Sequence, residues 1–87
     1  MSREKIDNFL WNIEKYLMKK YGVDAARDLV YPLAWYIDTG RASCDFLHAM
    51  LQHKPYTIAR VLAAVLTGGG SMHDVITNIK KKIGLPL

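Results

Sequence analysis

The sequence predicts an all-α protein, a single domain over residues 1–87 that folds as a compact orthogonal bundle of about five short helices. Apolar residues recur at spacings of three and four along most of the chain, as they do on one face of a helix. Glycine or proline closes each of these periodic segments. With 87 residues, of which 51% are hydrophobic and 23% charged, the chain can bury one core but not two.

The first helix is predicted between Ser2, which can cap its free amides, and Gly22, which ends it. Its apolar stripe comprises Ile6, Phe9, Leu10, Ile13, Tyr16, Leu17 and Tyr21. These spacings predict one face packed on the core.

The second helix is predicted from Asp24, its N-cap, to Gly40. Its buried stripe comprises Ala26, Leu29, Val30, Leu33 and Ile37. Pro32 falls inside it. Because a proline removes one amide donor and clashes with the carbonyl four residues back, we expect a kink or break near Tyr31.

Pro55 separates the third helix from the fourth. Ser43 is predicted to cap the third, which must stop by Lys54 because a proline follows, and Pro55 suits the first turn of the fourth. The third helix is expected to bury Phe46, Leu47, Met50 and Leu51. The fourth is expected to bury Ile58, Val61, Leu62, Val65 and Leu66. Ala59 and Ala63 would let a neighbouring helix approach closely.

Three consecutive glycines, residues 68–70, break the chain before the fifth helix. Ser71 and Asp74 have the S-x-x-D spacing of a capping box at its start. Its inward stripe comprises Met72, Val75, Ile76, Ile79 and Ile83. Gly84 and Pro86 end it.

The net charge of +4 belongs entirely to the second half of the chain. Residues 1–45 carry seven Lys/Arg and seven Asp/Glu, whereas residues 46–87 carry five and one. This asymmetry is typical of a protein whose one end meets a polyanion.

Residues 58–67, the glycine turn and residues 72–83 have the order of a helix-turn-helix, in which the second helix enters a nucleic-acid groove. Ala64 stands where such motifs carry a small residue between the helices. The exposed face of the last helix and its flanks carry groups that contact bases and phosphates: His73, Thr77, Asn78, Lys80, Lys81 and Lys82. The segment loosely resembles the helix-turn-helix of DNA-binding regulators, over about a third of the chain.

Two features oppose that interpretation. The turn of three glycines is about one residue longer than usual, and Asp74 on the exposed face would repel phosphate. The alternative is a solvated last helix, whose lysines favour the negative end of the helix dipole.

The neutral half has more aromatic surface than one core requires. Trp11 and Met18 lie away from the main stripe of the first helix, and Tyr31 and Trp35 point away from the stripe of the second. Since Trp, Tyr and Met are enriched in interface cores, these four residues predict a self-association or partner surface, and we expect a homodimer. The alternative is that the kink at Pro32 turns Tyr31 and Trp35 inward.

Neither a metal site, a cofactor site nor an enzyme is predicted. Cys44 and His48 share a helix face, but His53 is turned about 140° away, so one helix supplies at most two ligands. The sequence has no C-x-x-C, no H-E-x-x-H and no recognisable acid–base pair. A lone cysteine, an N-terminus without signal-peptide features and no membrane-length apolar run predict a cytoplasmic protein.

The sequence therefore favours a small regulatory nucleic-acid-binding protein that uses residues 68–83. The alternative is a helical protein–protein interaction module, an adaptor or inhibitor of viral or plasmid origin, that docks on a larger protein. Salt-dependent retention on DNA would favour the first, and a complex that survives high salt the second.

Overall fold

Five α-helices and their short connections make up residues 2–86, the part of the chain that the computed structural model describes. They are α1 (Arg3–Tyr21), α2 (Val23–Asp38), α3 (Cys44–Leu51), α4 (Pro55–Thr67) and α5 (Met72–Ile83). No strand occurs within residues 2–86. The all-α prediction is confirmed, and each predicted helix is present.

A single residue, Gly22, connects α1 to α2. Its φ of 88° lies in the region that favours glycine, and its amide donates to the Met18 carbonyl at 2.9 Å. Gly22 is thus both the C-cap of α1 and the N-cap of α2. The prediction of Asp24 as N-cap is wrong, because the helix already begins at Val23 and Asp24 lies in its first turn.

The other end of this helical hairpin is held by Arg3. Its guanidinium bonds Asp7 on its own helix at 3.0 Å and also bonds Asp38 at the end of α2. Both pairs are solvent-exposed, so each contributes at most about 1 kcal/mol to stability. Their structural effect is to align the first turn of α1 with the last turn of α2.

Pro32 does not interrupt α2, which is helical from Val23 to Asp38. The expectation of a break near Tyr31 is wrong. Val30 before the proline is buried, and so are Leu33 and Ile37 after it. The packing of these side chains on the core holds the segment helical despite the lost amide donor. A bend at Pro32 stays a prediction.

The core contains side chains from all five helices. Its largest fully buried members are Phe46, Ile13, Leu17, Leu33, Met50, Ile58, Leu62, Ile79 and Val75. No polar or charged residue within residues 2–86 is buried. Apolar packing therefore holds the bundle together.

The buried face of α4 is narrower and more alanine-rich than expected. Ile58 and Leu62 are buried as predicted, and Ala59 and Ala63 are buried with them. The predicted members Val61, Val65 and Leu66 are only half-buried. Small side chains on the inner face let α4 pack closely against α1, and this turns the bulkier positions toward the edge.

The helix caps agree in part with the sequence. The Ser43 hydroxyl accepts a hydrogen bond from the Phe46 amide at 3.1 Å, as predicted. At the start of α5 the Asp74 amide donates to the Ser71 hydroxyl at 3.3 Å, and the Ser71 amide donates to the Asp74 carboxylate at 2.9 Å. This is the predicted capping box. Ser2 occupies the N-cap position of α1 but makes no side-chain capping bond.

The glycine turn folds tightly onto the end of α4 at Gly70. Its amide donates to the Val65 carbonyl at 2.9 Å. A Cβ atom at Gly70 would lie 2.6 Å from Cγ1 of Val65 and 3.0 Å from the Val65 carbonyl oxygen. A side chain at this position would therefore force Val65 or the turn itself to shift.

We expect Gly70→Ala to lower the free energy of unfolding by about 1 to 3 kcal/mol, because the added methyl overlaps Val65. Urea unfolding would measure this. Val65→Ala should cost less in the Gly70→Ala background than in the wild type, since it removes the overlapping Cγ1. Strictly additive effects would contradict this account.

Candidate functional site

Helix α5 separates two surfaces of different chemistry. His73, Thr77 and Lys80 lie on its side toward α2, where they line a groove. Asn78, Lys81 and Lys82 lie on its side toward α4. The six residues predicted to bind nucleic acid are therefore divided between two surfaces, because the buried stripe leaves both flanks of the helix exposed.

The first surface is centred on the exposed face of α4, where three hollows of about 340, 380 and 200 Å³ meet at Ala64. Arg60 from the middle of α4 lines two of these hollows. The end of α1 and the end of α5 supply the other charges. We name this region the α4 basic surface; its four exposed cations are Lys20, Arg60, Lys81 and Lys82.

No carboxylate lines these three hollows within residues 2–86. The nearest acid along α5 is Asp74, whose backbone carbonyl accepts a hydrogen bond from the Asn78 side-chain amide at 2.8 Å. Hydrogen bonds from the Ser71 backbone N–H and then from its hydroxyl hold the pKa of Asp74 below its ordinary value of 3.8. The Asp74 carboxylate thus caps the first turn of α5, where a negative charge is favoured by the helix dipole.

Ala64 is exposed, and it lines surface hollows together with Asn78, Lys81 and Lys82 of α5. The helix-turn-helix itself stays a prediction. Ala59 and Ala63 are the buried alanines of this helix. Ala64 instead leaves room on the surface, and the long side chains of Arg60 and Lys82 surround it.

Two tyrosines extend the α4 basic surface along the boundary between α1 and α4. The ring centroids of Tyr16 and Tyr56 are 6.3 Å apart. The Lys20 ammonium lies 5.7 Å from the Tyr16 ring, and the Lys54 ammonium lies 5.7 Å from the Tyr56 ring. This boundary between α1 and α4 therefore carries both positive charge and aromatic rings. Nucleotide bases can stack on such rings while the cations contact phosphates.

The second surface is the α2–α5 groove, which has a volume of about 540 Å³. Its lining residues are Tyr31, Pro32, Trp35, Tyr36, Arg41, Met72, His73, Ile76, Thr77 and Lys80. The Arg41 guanidinium lies 4.4 Å from the centroid of the Trp35 ring. The groove is therefore apolar and aromatic inside, with cationic groups around it.

Tyr31 and Trp35 are 69% and 46% exposed. The alternative that a kink at Pro32 turns them into the core is wrong, because α2 stays helical and keeps them on its outer face. Trp11 is 50% exposed but does not line the groove, and Met18 is half-buried against the core. The structure thus brings together Tyr31 and Trp35, but not the other two predicted interface residues.

Sequence reasoning missed several members of both surfaces. Lys20 belongs to the neutral half of the sequence, but the fold brings it beside Arg60. Arg41 also belongs to the neutral half, but its guanidinium stacks on the Trp35 ring and lines the groove. The helical spacing of Arg60 opposite the buried face of α4 was the available signal for the first surface.

The remaining candidates lie elsewhere. Cys44 and His48 line a hollow of about 460 Å³ beside the start of α1, and Cys44 is exposed. His53 is not part of that hollow. Within residues 2–86, no three His, Cys, Asp or Glu side chains cluster closely enough to hold a metal ion. No helix there has both the length and the apolarity needed to cross a bilayer.

Comparison of the chain with protein-family models, curated proteins and solved structures gives no match.

We expect an NMR titration to place the pKa of the Asp74 carboxyl below 3.8. Because the pKa of Asp74 is lower in the folded state, its ionised carboxyl stabilises the fold. This stabilisation is fully present above the ordinary pKa of 3.8 and is lost as the pH falls through the lower pKa of the folded state. Ser71→Ala removes only the hydroxyl donor, so the pKa should rise part of the way. An unchanged pKa in that variant would mean that the hydroxyl does not stabilise the carboxylate.

Proposed function

We propose that this protein is a small regulatory nucleic-acid-binding protein that binds phosphates with the α4 basic surface. The observation that carries the proposal is the convergence of four exposed cations from three helices around Ala64, where residues 2–86 contribute no carboxylate to the lining. Lys and Arg side chains that neutralise phosphates supply most of the sequence-independent affinity for nucleic acid. The protein acts as a binding protein and not as an enzyme.

The arrangement of the charges supports a phosphate backbone as the ligand. Lys20, Arg60 and Lys82 belong to three separate helices whose packing sets their spacing, so the cations form a surface patch and not a flexible run. A nucleic-acid strand presents phosphates at regular intervals and can meet several of them at once.

Sequence preference would come from the polar groups within this patch. Thr57 and Asn78 lie among the cations, and both can bond base or sugar edges. One Asn78 N–H is already used by the Asp74 carbonyl, which leaves its second N–H and its carbonyl oxygen for a ligand. His73 and Thr77 face the α2–α5 groove, so the proposal assigns them no contact with nucleic acid.

A cytoplasmic location belongs to the same proposal. Cys44 is a free, exposed thiol, which fits a reducing compartment. The protein-interaction alternative is supported by a different observation, the aromatic α2–α5 groove, and concerns the other side of α5.

The function is tested by two variants that each lose four positive charges, at different positions. The first replaces all four cations of the α4 basic surface with Gln. The matched control carries Lys5→Gln, Lys15→Gln, Lys19→Gln and Arg27→Gln. We expect the first variant to reduce the slope of log affinity against log salt for duplex DNA and RNA by about 3 to 4 units, because each phosphate contact contributes slightly less than one.

The control should keep most of the wild-type slope, since its cations line none of the three hollows of the α4 basic surface. Circular dichroism would check that both variants stay helical. Equal losses in the two variants would mean that binding follows net charge alone. No salt-dependent binding by the wild type would refute the function.

Neighbouring lysines of α5 provide a finer test. We expect Lys81→Gln to lower the salt slope by about one unit and Lys80→Gln to leave it nearly unchanged, because Lys81 lines the α4 side and Lys80 the α2 side. Filter binding over a salt series would measure both. The opposite order would move the phosphate contact to the α2 side of α5.

A further inference from the structure

We infer that the α2–α5 groove is a homodimer interface and that its occupant is α2 of a second copy of this chain. This inference concerns the side of α5 opposite the α4 basic surface and does not rest on the proposed function. It also narrows the predicted dimer interface from four residues on two helices to one groove and one helix face.

The α2–α5 groove has an apolar interior and positive charge at its margins. Pro32, Met72 and Ile76 contribute apolar surface, and Arg41 and Lys80 contribute positive charge. No Asp or Glu lines the groove within residues 2–86. An occupant of matching chemistry is apolar or aromatic in its centre and acidic at its margins.

The exposed face of α2 has that chemistry. Asp24, Asp28, Tyr31 and Trp35 are spaced by four, three and four residues, so they form one row along the helix. All four are exposed. We name this row the α2 stripe. It is two carboxylates followed by two aromatic rings.

The carboxylates of the α2 stripe are available to a partner. The ion pairs within residues 2–86 are Arg3 with Asp7 and Arg3 with Asp38, so Asp24 and Asp28 have no cation of their own. The largest exposed apolar side chains on this helix are Tyr31 and Trp35. Tyrosine and tryptophan are typical anchors at the centre of protein interfaces.

A second copy fits this groove better than an unrelated acidic segment does, because Tyr31 and Trp35 belong both to the stripe and to the groove wall. A foreign segment would fill the groove and leave the two carboxylates of the stripe without cations. A two-fold axis places each stripe in the other copy's groove, so both are covered at once. Such an interface is self-complementary and closes at two chains.

Reversing the charge of one element at a time tests the inference directly. The stripe variant is Asp24→Lys with Asp28→Lys, and the groove variant is Arg41→Glu with Lys80→Glu. Within each variant the stripe and the groove then carry the same sign of charge. In a mixture, both stripe–groove contacts of a heterodimer pair opposite charges.

We expect sedimentation equilibrium to show a concentration-dependent dimer for the wild type. Each variant alone should dissociate at least about tenfold more readily, because like charges meet at both contacts. An equimolar mixture of the two variants should restore the dimer to within a few-fold of wild type. A wild type that stays monomeric up to about 1 mM, or a mixture that does not associate, would overturn the inference.

Two tryptophans of similar exposure give an uncharged control. Trp35 is 46% exposed in the groove, and Trp11 is 50% exposed outside it. Trp35→Ala should weaken the dimer at least about tenfold, whereas Trp11→Ala should leave it unchanged. A dimer that depends on Trp11 instead would move the interface to α1.

The variant with four Gln on the α4 basic surface separates this inference from the proposed function. It should dimerise as the wild type does, because its changes lie on the other side of α5. Loss of the dimer in that variant would overturn the assignment of the groove as a separate interface. Loss of nucleic-acid binding with the dimer intact is the expected result.

Discussion

The packing of α4 is the constraint on which the rest of the structure depends. This helix contacts α1, α2 and α5, and it does so through a face on which Ala59 and Ala63 alternate with Ile58 and Leu62. Small side chains allow close approach, while the larger ones fill the space between helices. Because α4 packs against both α1 and α5, the end of α1 lies on one side of its exposed face and the end of α5 on the other. The clustering of Lys20, which α1 supplies, with the cations of the other two helices follows from this packing.

The two surfaces beside α5 follow from its narrow buried stripe. Val75, Ile76 and Ile79 are buried, and the exposed residues fall on two flanks with different neighbours. The flank toward α4 joins a surface lined by cations, and the flank toward α2 joins aromatic rings. One helix thereby supplies polar groups both to the proposed phosphate-binding surface and to the proposed dimer groove. If both proposals hold, a dimer formed through the groove presents two α4 basic surfaces to one nucleic acid, which raises the effective affinity of each.

Part of the candidate site was predictable from helical periodicity, and part was not. The exposure of Tyr31 and Trp35 follows from their spacing on α2, because residues opposite a buried stripe face solvent. Spacing on one helix does not identify the neighbour across a groove, so it could not pair Trp35 with Arg41 or His73 with α2. Lys20 and Arg60 also belong to different halves of the sequence. The bundle brings them together because α1 packs against α4.

Local chemistry in the sequence by itself determined the number of helices, their order and most of their ends. Pro55 and the Ser71–Asp74 capping box act within one helical turn, so their effect does not depend on the rest of the fold. Tertiary packing decided which faces of the helices are buried and which side chains share a surface. It kept α2 helical through Pro32, left Ala64 on the surface and divided the polar residues of α5 between two surfaces. The physical reason is that burial is a property of a pair of facing elements, and a sequence pattern describes only one of the two.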